Sequence, residues 1–192
     1  MGTNKFDGLE QVKYSNIRSK IKTGDILFCS GNYPMSKIIR ELSKSLFSHV
    51  AFVFSWNGRV LVLESVEDDG VRAIPLSQYI KNYENSKRPY KGRLFLARHK
   101  EKLPKKKSNK MLGKAADLLN SKYDKNDIAK IAWRITTGLG KHKKDNEYIC
   151  SEFVDECFQE IGITLNRGKK GFIFPEHIAV DKNVIPLFEF SI

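Results

Sequence analysis

The chain has 192 residues, of which 41% are hydrophobic and 11% aromatic. This composition is sufficient for one folded domain with a substantial core, and it excludes a disordered chain. The formal net charge of +12 favours anionic partners such as phospholipid surfaces. No apolar run is long enough to span a bilayer, and the N-terminal residues lack the apolar core of a signal peptide. We expect a single domain over 1–192, with its core over about 21–180, in a cytoplasmic protein that is free or peripheral at a membrane.

The first half of the chain alternates short apolar runs with turn residues, which is typical of a sheet with a few short helices. Asn57-Gly58 joins two apolar runs and predicts a tight hairpin turn. The predicted elements are a short helix within 9–21, a buried strand at 26–29, an amphipathic helix at 34–47, the hairpin at 48–65, a strand at 71–76, a helix at 77–83 and a strand at 92–100.

The second half is predicted to be helical and begins with a dense run of lysines at 100–110. We interpret this run as a solvated linker, with contact to an anionic surface as the alternative. A second basic loop is expected at 138–144. Apolar residues recur at helical spacing in the segments 110–123, 127–135 and 147–163.

Three cysteines without paired spacing indicate free thiols rather than a disulfide framework. Cys150 lies near the start of the last predicted helix, after the capping candidates Asp145 and Asn146. Backbone N–H groups at a helix start favour a thiolate and can stabilise an oxyanion. A buried structural thiol remains the alternative for Cys150, whereas packing is the expected role of Cys29 and Cys157.

A nucleophilic cysteine needs a base, and four histidines are candidates. His99 and His142 lie in basic segments and are expected at the surface, and His177 follows a Pro-Glu turn. His49 begins the hairpin, and counting back from the turn puts it on the same face as Glu64. The two residues are diagonal neighbours at roughly 7–8 Å between backbones, so the carboxylate can orient the imidazole.

Other kinds of site are less well supported by the sequence. A metal site formed by His49, Cys29 and Cys150 lacks paired-ligand spacing, so we expect no metal and no organic cofactor. The segment 136–145 lacks the glycine and the Ser or Thr that a phosphate loop requires. Nucleic-acid binding has the charge in its favour but no reading motif, and we consider it unlikely.

Four segments occur in an order that resembles a known family: SHVAFVF, LVLES, GVRAIPLSQY and YICSEFVDECFQEIGI, preceded by KTGDILF. Together they are similar to the circularly permuted branch of the NlpC-type papain-like cysteine hydrolases, which includes YiiX/YebB-like and related poxviral proteins. The resemblance implies an α+β fold with an antiparallel sheet packed against helices, in which the histidine strand precedes the cysteine helix. The basic loops have no counterpart in the family.

The resemblance also implies the roles of individual residues. Cys150 would be the nucleophile, His49 the general base and Glu64 the orienting residue, while Tyr148 matches a tyrosine that helps shape the oxyanion site. We therefore expect hydrolysis of an amide or peptide bond through an acyl-thioester. The alternatives are a lipid acyl hydrolase or acyltransferase, as in the lecithin:retinol acyltransferase group, and a non-catalytic binding protein with a basic surface. The sequence leaves the oligomeric state open.

Overall fold

The computed structural model describes residues 2–122, 149–168 and 173–191, which contain seven strands and six α-helices. The strands are β1 (Gln11–Lys13), β2 (Ile26–Gly31), β3 (His49–Trp56), β4 (Arg59–Val66), β5 (Gly70–Pro75), β6 (Gly92–His99) and β7 (Val184–Ser191). The helices are α1 (Tyr14–Ile17), α2 (Pro34–Ser43), α3 (Leu76–Lys81), α4 (Lys105–Asp117), α5 (Cys150–Gln159) and α6 (Pro175–Val180).

All seven strands form one sheet in the order β1-β7-β6-β2-β3-β4-β5. Every neighbouring pair is antiparallel except β1 and β7, which are parallel. Apolar side chains cover both faces: α4 and α5 contribute to the core on one face, and α3 contributes to the core on the other. This arrangement confirms the predicted α+β class. None of the helices in the described ranges is long and apolar enough to cross a membrane.

The β3–β4 hairpin has the register that its turn residues predict. Asn57 and Gly58 both have positive φ, 45° and 67°, as the two central residues of a type I′ hairpin turn require. Trp56 pairs with Arg59, and Phe54 pairs with Leu61. The predicted register is therefore confirmed. It puts His49 and Glu64, at the far ends of the two strands, on the same face of the sheet.

Two element predictions need correction, and one strand was not predicted. The segment 9–21 forms the short strand β1 followed by α1 and a 3-10 turn, rather than one helix. The lysine run is not all linker, because α4 begins at Lys105 directly after Pro104. Lysine is a good helix former, and proline commonly precedes a helix, so the run extends the helix toward its N-terminus. The strand β7 was missed because its partners β1 and β6 are remote in sequence.

The outer strand β5 is partly covered at the edge of the sheet. Val71 N–H donates to Ser121 O at 3.0 Å, and Asn120 N–H donates to Val71 O at 3.0 Å. Gly70 has φ +67°, and a Cβ there would lie 2.1 Å from Ser121 O. A glycine at this position therefore lets the segment 120–122 approach the edge strand closely.

Candidate active site

Cys150 is the first residue of α5, a helix held against the sheet by aromatic packing. The ring of Phe153 stacks on that of Phe52 in β3, with 5.6 Å between the ring centroids. Ile149 occupies the N-cap position of α5 and has no side-chain acceptor, and the capping candidates Asp145 and Asn146 lie outside the described residues. The first N–H groups of a helix lack intrahelical acceptors, so those beside Cys150 can serve an oxyanion.

His49 and Glu64 meet at the end of the hairpin opposite its turn. Nε2 of His49 lies 2.8 Å from Oε2 of Glu64, and Cys150 lines the same cavity as His49 and interacts electrostatically with the imidazole. Because Glu64 engages Nε2, Nδ1 is the ring nitrogen that can face the thiol. The structure therefore brings together Cys150, His49 and Glu64, the three residues singled out in the sequence.

The electrostatics of this group favour a charged imidazolium. Burial lowers the pKa of His49, but the electrostatic interaction with Cys150 and the hydrogen bond that the ring donates to Glu64 outweigh it and raise the pKa to about 10. Burial raises the pKa of Glu64, but its contacts with His49 and Arg72 hold that pKa below the usual value. An imidazolium paired with the Glu64 carboxylate is the expected result.

Two residues that sequence reasoning missed hold the Glu64 carboxylate. Arg72 Nε donates to Oε1 of Glu64 at 2.8 Å, and the Tyr79 hydroxyl donates to Oε2. Glu64 and Tyr79 are fully buried. Arg72 could have been found by counting through the β4–β5 turn, because it pairs directly with Glu64. Tyr79 lies on α3. Its contact with Glu64 depends on the angle at which α3 packs against the sheet, and the sequence pattern does not determine that angle.

Arg72 is fixed in turn by two exposed carboxylates. Its Nη1 donates to Asp69 Oδ2 at 2.5 Å, and its Nη2 donates to Glu84 Oε1 at 2.6 Å. The side chain of Arg72 is only 14% exposed. These contacts leave the guanidinium little freedom, so it presents Nε to Glu64 in one orientation.

The remaining candidate residues lie elsewhere. His99 was expected at the surface but is 7% exposed, and its Nδ1 accepts from Glu101 N–H at 3.2 Å. His177 accepts from Phe174 N–H at 3.1 Å, a local contact in α6. Cys29 and Cys157 are fully buried, as the packing interpretation predicts. Tyr148, His142 and the basic loop at 138–144 lie outside the described residues.

An open cavity of about 560 Å³ leads to Cys150 and His49. The apolar face of α2, the helix predicted to be amphipathic, lines this cavity. Helix α2 has no buried residue, and Ile38 is 45% exposed. Acidic and tyrosine side chains also line it. The lining residues used below are Met35, Ile38, Ile39 and Leu42 on α2, together with Glu67, Asp68, Asp69, Tyr83 and Glu84.

We expect the imidazole of His49 to titrate near pH 10, because its two partners stabilise the protonated ring. NMR of labelled histidine side chains measures this directly, and the C150A variant should lower the value because one partner is lost. His177 is an internal control, since burial lowers its pKa below 6.5. A His49 titration near 6.5, insensitive to C150A, would contradict the charged pair.

The comparisons with known proteins concern the family and the fold. Residues 20–176 match the model of the permuted papain-like amidase enzymes of the YaeF/YiiX type, the C92 family. The fold is similar to the crystal structure of the metalloprotein YiiX from Escherichia coli O157:H7, with a TM-score of 0.64 and 18% sequence identity. That likeness covers 87% of this chain and 96% of the other. No curated protein sequence matches the chain.

The fold prediction of a permuted papain-like architecture is thus confirmed. Although the similar structure is described as a metalloprotein, the described residues here contain no group of three or more His, Cys, Asp or Glu side chains that could hold a metal ion.

Proposed function

Since this chain belongs to the family of permuted papain-like amidases, we propose that it hydrolyses an amide or peptide bond through a thioester on Cys150. The observation that carries the proposal is the grouping of Cys150, His49 and Glu64: Cys150 and His49 line one open cavity, and Glu64 contacts His49. A thiol, a base and an orienting carboxylate in contact are the minimum that nucleophilic catalysis of this kind needs.

In the first step, the Cys150 thiolate attacks the carbonyl carbon, and the carbonyl π electrons move onto oxygen. The N–H groups at the start of α5 stabilise this oxyanion. As the intermediate collapses, the C–N bond breaks and His49 gives its proton to the leaving amine. The products of this step are a free amine and an acyl-thioester on Cys150.

In the second step, neutral His49 takes a proton from water, and the resulting hydroxide equivalent attacks the thioester carbonyl. The C–S bond then breaks and releases a carboxylic acid and the Cys150 thiolate, beside a protonated His49. Glu64 keeps the imidazole in one orientation through both steps. The cycle needs no redox partner.

A lipid ester or amide is the second candidate substrate, and the apolar wall of the cavity favours it. Met35, Ile38, Ile39 and Leu42 present hydrocarbon to the same cavity that contains Cys150. Burial of an acyl chain against this wall would be favourable at roughly 25 cal/mol per Å² of apolar surface. The same two steps then give an acyl hydrolase, or an acyltransferase when another nucleophile replaces water.

The test is to offer short peptides and acylated lipids in parallel and to measure the intact mass of the acid-quenched protein. We expect a mass increase equal to an acyl group, absent in C150A. The variant I38S/L42S should slow acylation by lipids more than by peptides, and the control is L119S, which removes a leucine that is 40% exposed and lies outside the cavity lining. Reaction with peptides alone would reject the lipid alternative.

A non-catalytic binding protein gives a different result in the same experiment. It would acquire no adduct from any substrate, and its Cys150 would react with iodoacetamide no faster than Cys29 or Cys157. That pair of outcomes would overturn the proposed function, because the neighbouring His49 is expected to make Cys150 the most reactive thiol.

A further inference from the structure

Positive charge is concentrated at the end of the sheet opposite the cavity. We name this surface the basic end and define it by the segments 18–25, 56–59 and 98–106. These segments contain nine lysines and arginines but only two carboxylates, Asp25 and Glu101. Within the described ranges, the cations of these segments that have no carboxylate partner are Arg18, Lys20, Lys22, Arg59, Lys100, Lys102, Lys105 and Lys106.

Hydrogen bonds join the three segments into one surface. Arg98 Nη2 donates to Lys20 O at 3.0 Å, Arg18 Nη2 donates to Gly58 O, and Ser55 N–H donates to Thr23 Oγ1 at 3.1 Å. A second cavity of about 540 Å³ lies between 22–25 and 98–104. The basic end is therefore a continuous, concave surface.

The two carboxylates are already neutralised. Asp25 is buried and pairs with Arg98, with 2.6 Å between Oδ1 and Nε, and Glu101 pairs with Lys107. The eight cations named above form no ion pair with a carboxylate in the parts of the chain that the structure describes. Their charge is thus available to a partner.

The helix dipole does not favour part of this charge. Lys105, Lys106 and Lys107 form the first turn of α4, which contains no acidic residue. Positive side chains there face the positive end of the helix dipole, which is unfavourable. Their presence is better explained by an external anion than by the stability of the helix.

Exposed apolar side chains accompany the cations. Trp56 lies at the tip of the hairpin and is 57% exposed, and Ile185, which pairs with Arg98 at the start of β7, is 38% exposed. Tryptophan beside lysine and arginine is typical of a surface that rests at the boundary between lipid headgroups and acyl chains.

We propose that the basic end docks on a membrane surface rich in anionic phospholipid. Cations attract the headgroups, while Trp56 and Ile185 enter the interface. The six-residue strand β2 runs from the basic end to the catalytic end and spans about 20 Å. Glu67, Asp68 and other acidic residues at the cavity mouth are repelled by the same lipid, so the mouth faces away from the membrane.

The test is co-sedimentation with vesicles of phosphatidylserine and phosphatidylcholine in about equal amounts, at physiological ionic strength. The wild-type protein should sediment with these vesicles but not with phosphatidylcholine alone. We expect K22Q/K100Q/K102Q to weaken binding by roughly 100-fold, and W56A to weaken it several-fold.

The control variant K37Q/R88Q/K91Q removes the same charge from exposed residues outside the basic end. Equal loss of binding in the two triple variants would overturn the proposal, since net charge alone would then be responsible. Tighter binding to a short DNA duplex than to vesicles, lost in K22Q/K100Q/K102Q but kept in W56A, would assign the surface to nucleic acid instead. Circular dichroism verifies the fold of each variant.

The orientation has its own measurement, which does not depend on catalysis. A membrane-impermeant alkylating reagent should modify Cys150 at the same rate in vesicle-bound and free protein. Protection of Cys150 by the vesicles would show that the cavity mouth faces the lipid and would contradict docking through the basic end.

Discussion

The H49A variant is expected to lower kcat/KM for an amide substrate by about 10²- to 10⁴-fold, the usual contribution of a positioned acid–base group. His49 is the imidazole in contact with Cys150, and it both stabilises the thiolate and protonates the leaving amine. The same variant should slow alkylation of Cys150 by iodoacetamide at neutral pH, because alkylation also requires the thiolate.

The other two cysteines provide the internal comparison. Cys29 and Cys157 are fully buried, and burial raises the pKa of each thiol. Peptide mapping after brief alkylation should therefore recover the label at Cys150 in the wild-type protein. H99A is the matched histidine control, since His99 lies outside the catalytic cavity. An alkylation rate at Cys150 that H49A leaves unchanged would disprove the pairing.

The E64Q variant should lower kcat by roughly 10²- to 10⁴-fold, while the side-chain volume stays nearly constant. A neutral amide cannot stabilise the imidazolium, and it can present its NH₂ group to Nε2, which favours the wrong ring tautomer. The expected loss is in kcat more than in KM, because Glu64 is fully buried and contacts His49 rather than the cavity.

The control for this experiment is E84Q, which removes a carboxylate from the exposed side of Arg72 and leaves Glu64 in place. Exposed ion pairs contribute about 0–1 kcal/mol, so E84Q should change the rate by only a few-fold. Equal losses in E64Q and E84Q would show that the carboxylate on His49 has no special role.

Glu64 also makes the fold sensitive to acid. Because its pKa in the folded protein lies below the ordinary 4.5, the ionised group stabilises the folded state fully above that value. This contribution is lost as the pH falls through the lower pKa of the folded state. Melting temperature measured against pH should therefore show an acid-dependent loss in the wild-type protein that is smaller in E64Q.

The parts of the site that the sequence predicted are those fixed by local geometry. Asn57-Gly58 determines the hairpin turn, the turn determines the register, and the register puts His49 and Glu64 on one face. Cys150 was identifiable because helical spacing set the start of α5 to within a few residues. Its approach to His49 depends on packing of α5 over the sheet, and only the family resemblance indicated it.

The parts that could not be predicted depend on contacts between distant segments. Tyr79 reaches Glu64 because α3 packs under the sheet at a particular angle, which no periodicity specifies. The apolar face of α2 has the pattern of a core helix, and the same pattern also suits a helix that lines a cavity. His99 was misjudged because its neighbours are charged, while its strand position turns it inward.

The covered edge of β5 bears on how the protein behaves at high concentration. An open strand edge offers unpaired N–H and C=O groups to another chain and promotes aggregation. Here Ser121 and Asn120 already satisfy the backbone of Val71, and Gly70 is the residue that permits their approach. A second molecule can extend the sheet at this point only by first displacing the segment 120–122. Gly70 thus helps to prevent aggregation through this edge. This role is separate from that of Arg72, which lies on the same strand and binds Glu64.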